Sequence, residues 1–230
     1  MIKNIIFDVY GTLISTGNGS IEATKKILNL KKVNLSAENI YAKWKKIHRA
    51  HIDMLEEFVT EKEIFIRDLK KIYDEQGIEG KAEEDIYPMI NSLYGRIVFD
   101  DTIESIAKLK ANFKMAIGST TDTEPLLENM KINNLMIDDV YTSEMLKTYK
   151  PKAEFYSSII DKQKWSIEET IYVGDSYGDD IYGPKMIGMK AILLDRKKRY
   201  IIEELSIKPD GIINSLYELE DEINRLNMKK

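Results

Sequence analysis

The chain contains no cysteine, which removes disulfides, thiolate catalysis and cysteine-ligated metals from consideration. Its two histidines, His48 and His51, are too few for a zinc site built on imidazole. No apolar run approaches the roughly eighteen residues of a membrane-spanning helix, so no membrane partner is expected. The first residues, Met1 to Asp8, do not read as a secretory leader, because the apolar run is short, ends on an acid and lacks a small-residue cleavage site. The expected location is therefore the cytoplasm. Net charge is -5, with lysines scattered among acids, so a nucleic-acid partner is not expected either. What remains is a chain of 230 residues, 43% hydrophobic and with five prolines, enough for one large core or a core with a smaller companion.

Ile2 to Phe7 is mostly apolar without alternation, the pattern of a strand buried on both faces of a parallel sheet. A Gly/Ser/Thr/Asn stretch from Ser15 to Ser20 then leads out of that layer. Between Ser20 and about Tyr94 the periodicity is helical throughout. Ser36 marks one helix start, and Thr60 with Glu63 forms a capping box before Ile64, Phe65, Leu69 and Ile72. This span predicts a helical subdomain of three to five helices. From Gly95 onward, helix and strand alternate: strands at Lys114 to Gly118, Leu135 to Val140, Thr170 to Val173, Ala191 to Leu194 and Gly211 to Ile213, with amphipathic helices between them and at the end. Such alternation predicts an α/β fold with a doubly wound, mostly parallel sheet. The core is assigned to residues 1–15 and 95–230, and the helical subdomain to residues 16–94.

Ligands of such sheets bind beyond the carboxyl ends of the strands. Asp8, Ser119 and Asp175 all fall at such ends. Asp8 beside Gly11 and Thr12 is either a turn-capping acid or a carboxylate poised to attack an electrophile. Gly174-Asp175-Ser176-Tyr177-Gly178-Asp179-Asp180 is either an acidic helix start or a hard-oxygen site of the kind that suits magnesium. Gly118-Ser119-Thr120-Thr121 offers hydroxyls and turn N–H groups to phosphate or carboxylate oxygens, or caps the next helix. Lys150, before Pro151, is a surface charge unless it lies near Asp8, where it would offset negative charge.

Taken in order, Asp8-Val9-Tyr10-Gly11-Thr12-Leu13, Ser119, Lys150 and Gly174-Asp175 with Asp180 resemble the motifs of the haloacid dehalogenase-like hydrolase superfamily. The resemblance implies a Rossmann-like core with an inserted helical cap that supplies substrate-recognising residues. It implies Asp8 as nucleophile, and Ser119 and Lys150 as partners of the transferring group. Mg2+ would be held by Asp8, the main-chain carbonyl of Tyr10, Asp175 and Asp180. Gly11, Thr12, Thr120 and, from the cap, Arg49 are the candidate substrate-binding residues, the last because an anionic substrate needs a counter-charge.

Tyr10 departs from the phosphatase pattern, in which a second aspartate two residues after the nucleophile serves as acid and base. A tyrosine of ordinary pKa near ~10 is a poor base at neutral pH. The first motif looks like that of 2-haloacid dehalogenases, whose halide needs no proton to leave. The acidic motif points the other way, since those enzymes usually carry Ser-Asn at the position of Gly174-Asp175 and work without magnesium. Three expectations follow. The first is a magnesium-dependent hydrolase of phosphate monoesters or acyl phosphates, slow or limited to good leaving groups, acting on a small anionic substrate. The alternatives are a metal-independent 2-haloacid dehalogenase and a non-catalytic binding or regulatory protein on the same scaffold. The chain is expected to be a monomer or a homodimer.

Overall fold

The computed structural model describes residues 1–137 and 139–228. Six parallel strands form one sheet: β1 (Asn4–Phe7), β2 (Lys114–Ser119), β3 (Asp139–Thr142), β4 (Thr170–Gly174), β5 (Lys190–Leu194) and β6 (Gly211–Ile213). Their order is β3-β2-β1-β4-β5-β6. The chain winds outward from β1 to β3, returns to β4 and winds outward again, so the order reverses between β1 and β4. That is the switch point where doubly wound sheets bind ligands. β1 is buried along its whole length: Ile5, Ile6 and Phe7 are apolar, and Asn4 donates from Nδ2 to Thr170 Oγ1 at 3.2 Å. The third strand begins later than the apolar pattern indicates, and Asp138, within the predicted stretch, lies outside the described residues, as do Lys229 and Lys230.

The chain divides into two compact units. The first, Met1–Ser15 with Ile97–Thr120 and Asn133–Lys230, holds the sheet. Its helices are α6 (Thr102–Leu109), α8 (Ser143–Leu146), α9 (Ala153–Gln163), α10 (Gly183–Met186) and α11 (Leu219–Met228). Phe155, Tyr156 and Ile159 of α9 pack with Ile6 and Tyr172 in a buried cluster beneath the inner strands.

The second unit, Thr16–Arg96 with Thr121–Ile132, is helical. It contains α1 (Gly19–Leu30), α2 (Ala37–Asp53), α3 (Glu61–Gln76), the short α4 (Ala82–Asp85) and α5 (Tyr87–Asn91), and α7 (Thr123–Ile132). Ser36 caps α2 by accepting from Asn39 N, and the Thr60–Glu63 capping box opens α3. Gly77, at φ +63°, closes α3 in the left-handed conformation that favours glycine. The segment containing α7 joins this unit through specific bonds. Asp122 accepts from Glu61 N and Lys62 N at 2.8 and 3.0 Å, satisfying free donors of the first turn of α3. Asn129 bonds Arg96 N and the Leu93 carbonyl.

Ile27, Ile40, Trp44, Leu69 and Ile72 are among the buried residues of this second core. Asp68, fully buried, interrupts the apolar stripe of α3 and accepts from Trp44 Nε1 at 3.1 Å, with His48 Nδ1 at 2.7 Å and His51 Nδ1 at 2.6 Å. Residues 44, 48 and 51 share one face of α2, which is why one carboxylate reaches all three. No helix among the described residues is long and apolar enough to cross a membrane.

Candidate active site

The register places the site. Phe7 pairs with Ile117 and with Val173, so Asp8 is one step past the paired residues, level with Gly118 and Gly174. Asp8 N still bonds the Val173 carbonyl at 2.9 Å. Asp8 thus ends the strand at the switch point, with Ser119 closing β2 on one side and Asp175 following β4 on the other.

The residues after Asp8 fold back tightly. Leu13 N and Ile14 N both bond the Val9 carbonyl, and Gly11 N bonds the Ile14 carbonyl. Gly11 has φ +100°, and a Cβ there would overlap the Asp175 carboxylate, so only glycine fits. Thr12, fully buried, donates from Oγ1 to Asp8 Oδ2 at 3.1 Å. It orients the carboxylate. Tyr10 is half-buried within this turn.

Lys150 is 1% exposed, and its Nζ donates to Asp8 Oδ1 and to Asp180 Oδ1, each at 2.8 Å. The ammonium also lies over the Tyr172 ring, 4.9 Å from its centre, and Tyr172 is fixed by donating to the Gly118 carbonyl at 2.6 Å. Burial opposes a charge on Lys150, but the Asp180 and Asp8 carboxylates lift its pKa well above the ordinary lysine value. Asp180 is anchored by Ser176 N, which donates to its Oδ2 at 2.9 Å.

Asp8, Asp175 and Asp180 each place a carboxylate oxygen within 4.8 Å of the others. Burial raises the pKa of Asp175, and Asp8 raises it further while Arg199 opposes. Burial likewise pushes Asp180 well above the usual carboxylate range; Lys150 pulls it down only in part, and Asp8 raises it further. Three carboxylates converge here with one buried lysine between two of them, and hard oxygen donors suit Mg2+. The donor set therefore fits that ion.

A pH consequence follows. A raised carboxyl pKa means the folded chain holds protons more tightly than the unfolded one. Asp175 and Asp180 therefore cost the metal-free protein stability as pH rises above their ordinary 3.8 through the raised values. An ion held by these acids would compete with those protons, so Mg2+ binding is expected to release protons and to weaken on acidification. Calorimetric titration in buffers of different ionisation enthalpy measures this. Binding that neither releases protons nor weakens as pH falls would contradict the raised pKa of these two acids.

Two arginines escaped the sequence reading. Both follow β5, whose carboxyl end lies at the same edge of the sheet, and that position was the available signal. Arg196 pairs with buried Asp101 through Nη1 and Nη2 at 2.8 Å each, donates to the Thr12 carbonyl at 2.9 Å, and lies over the Phe99 ring. Arg199 contacts Asp175. Of the remaining candidates, Ser119 is buried at the end of β2 and Thr120 is half-buried after it. Arg49 belongs to the helical unit, where it pairs with Asp53 one turn along α2.

An all-parallel sheet with a carboxylate–lysine cluster at its switch point defines a Rossmann-like α/β protein. A family profile described as a hydrolase, haloacid dehalogenase-like hydrolase, matches residues 2–188, and the chain belongs to that family. It is 34% identical over 136 residues to the glyceraldehyde 3-phosphate phosphatase of Methanocaldococcus jannaschii, across 57% of this chain and 58% of that protein. The like-named protein of Pyrococcus furiosus is 30% identical over 130 residues, 54% of this chain and 53% of that one. The chain thus spans little more than half the length of these curated relatives. Among solved structures, the magnesium-bound HAD-hydrolase YfnB of Bacillus subtilis superposes with a TM-score of 0.80 at 19% identity, covering 97% of this chain and 99% of that one. The L-2-haloacid dehalogenase of Xanthobacter autotrophicus superposes equally, at 0.80 and 18% identity over the same shares. At such identities the likeness concerns the fold.

Proposed function

We propose that this protein is a magnesium-dependent hydrolase of small phosphate monoesters or acyl phosphates, with Asp8 as the attacking group. The observation that carries the reading is the bridging Lys150, at 2.8 Å from both Asp8 and Asp180, within a cluster that Asp175 completes. A metal-independent displacement of halide could use one further carboxylate as the base that activates water on the ester intermediate, but has no such use for a second. The names of the two phosphatase relatives favour phosphate in the same direction.

Thr12 and Lys150 hold the Asp8 carboxylate in one orientation, which lowers the entropic part of the barrier to attack on phosphorus. The aspartyl phosphate formed is then hydrolysed by water, returning Asp8. Lys150 stays charged throughout and stabilises the transferring phosphoryl oxygens, with the Ser119 hydroxyl as a second donor. Asp8, the Tyr10 carbonyl, Asp175 and Asp180 would hold magnesium, which supplies Lewis-acid neutralisation of the phosphoryl charge. Tyr10 leaves leaving-group protonation to water or to the substrate, so acyl phosphates and aryl phosphates should outpace alkyl phosphates.

The second reading, a 2-haloacid dehalogenase, rests on Tyr10 within the first motif. One panel separates the two: glyceraldehyde 3-phosphate, acetyl phosphate, p-nitrophenyl phosphate and 2-chloropropionate, each with and without Mg2+. Phosphate release that requires Mg2+ is the expected result. Chloride release that persists in chelator, with no phosphate released, would replace this reading with the second.

A further inference from the structure

A ligand carboxylate acts well only if something behind it fixes its direction. Asp175 is gripped in this way by a turn that no motif announces. Asp195, just past β5, accepts from Arg199 N at 2.9 Å and from Tyr200 N at 3.1 Å, and so folds the chain back toward the end of β4. From there Arg199 Nη2 donates to the Asp175 main-chain carbonyl and to Asp175 Oδ2, both at 2.8 Å. Tyr200 donates its hydroxyl to the same carbonyl at 3.1 Å, while accepting from Tyr177 N at 3.2 Å. The guanidinium lies over the Tyr200 ring, 5.2 Å from its centre, so the two side chains brace each other. On the opposite side stands Gly11, where any Cβ would overlap Asp175 Oδ1, so only glycine leaves the carboxylate its place.

We infer that Arg199, supported by Tyr200, is a positioning residue that sets the affinity of the acid cluster for its divalent cation. This rests on the reading that Asp8, Asp175 and Asp180 hold Mg2+. Two effects of Arg199 oppose each other. Its charge repels the ion, and its two bonds keep Asp175 aimed. The side chain is 46% exposed, so the high dielectric of adjacent solvent weakens the repulsion, whereas the orientation of a carboxylate 19% exposed is not weakened in this way. Orientation therefore dominates.

The test is direct metal binding: Mn2+ titration followed by electron paramagnetic resonance, and Mg2+ calorimetry, on wild type, Arg199→Ala, Arg199→Lys and Tyr200→Phe. Circular dichroism and thermal melts verify that each variant is folded. Arg199→Ala is expected to bind roughly 10- to 100-fold more weakly. Arg199→Lys, which keeps a cationic donor, should recover much of that loss, and Tyr200→Phe should lose less than alanine does. A folded Arg199→Ala with wild-type or tighter affinity would overturn the inference alone. Failure of the wild type to bind either ion would overturn the magnesium reading and this inference with it.

Discussion

Replacing Asp8 with asparagine is expected to lower turnover of any phosphate substrate by roughly 10⁴-fold or more, the scale seen when a covalent nucleophile is removed. The substitution is nearly isosteric. Lys150 Nζ can still donate to the amide oxygen and keeps its 2.8 Å bond to Asp180, so the fold should persist. What disappears is the anionic oxygen that attacks phosphorus, along with one carboxylate of the metal cluster. The measurement is phosphate release at saturating Mg2+, with a thermal melt showing the variant folded. Metal affinity should fall as well, but saturating the ion would not restore turnover, which separates loss of the nucleophile from loss of a ligand. Wild-type turnover by the variant would remove Asp8 from the attacking role.

The core of that argument was legible in the sequence because parallel strands advertise themselves. An unbroken apolar run ending on an acid, as at Phe7-Asp8, can be read without knowing its neighbours. Asp175 after Val173-Gly174 could be read in the same way. Helix starts were legible where a side chain caps locally, as at Ser36 and Thr60. What could not be read were partnerships across the chain. Nothing near Asp68 in sequence signals that it will collect Trp44, His48 and His51 from another helix. Nor does Asp195-Arg196-Lys197-Lys198-Arg199-Tyr200 look different from a solvated basic turn. Its role appears only when β5 is set beside β4 and the turn faces Asp175. Arg49, chosen for its charge, finds its carboxylate one turn away at Asp53, a pairing that helical spacing alone permits.

Lys150→Met should produce the largest loss of stability, about 3–5 kcal/mol at pH 7.5 without metal, the cost of removing one partner from a buried ion pair. Methionine replaces the stem and packs against Tyr172, so the loss is of charge rather than volume. The Asp8 and Asp180 carboxylates, 10% and 1% exposed, are left with no lysine between them. Asp180, already raised by burial, loses the charge that holds it down and takes up a proton more readily, so the penalty should shrink as pH falls. At about 2–4 °C per kcal/mol for a chain of this size, the expected fall in melting temperature is roughly 6–20 °C. Mg2+ brings positive charge back to the same acids, so it should raise the melting temperature of the variant more than that of the wild type. Turnover should nevertheless stay about 10²- to 10³-fold down at saturating Mg2+, because a donor to the transferring phosphoryl oxygens is gone. Urea unfolding at pH 5.5 and 7.5, with and without Mg2+, resolves these effects. Stability equal to wild type at pH 7.5 in chelator would mean that Lys150 does not balance the two acids.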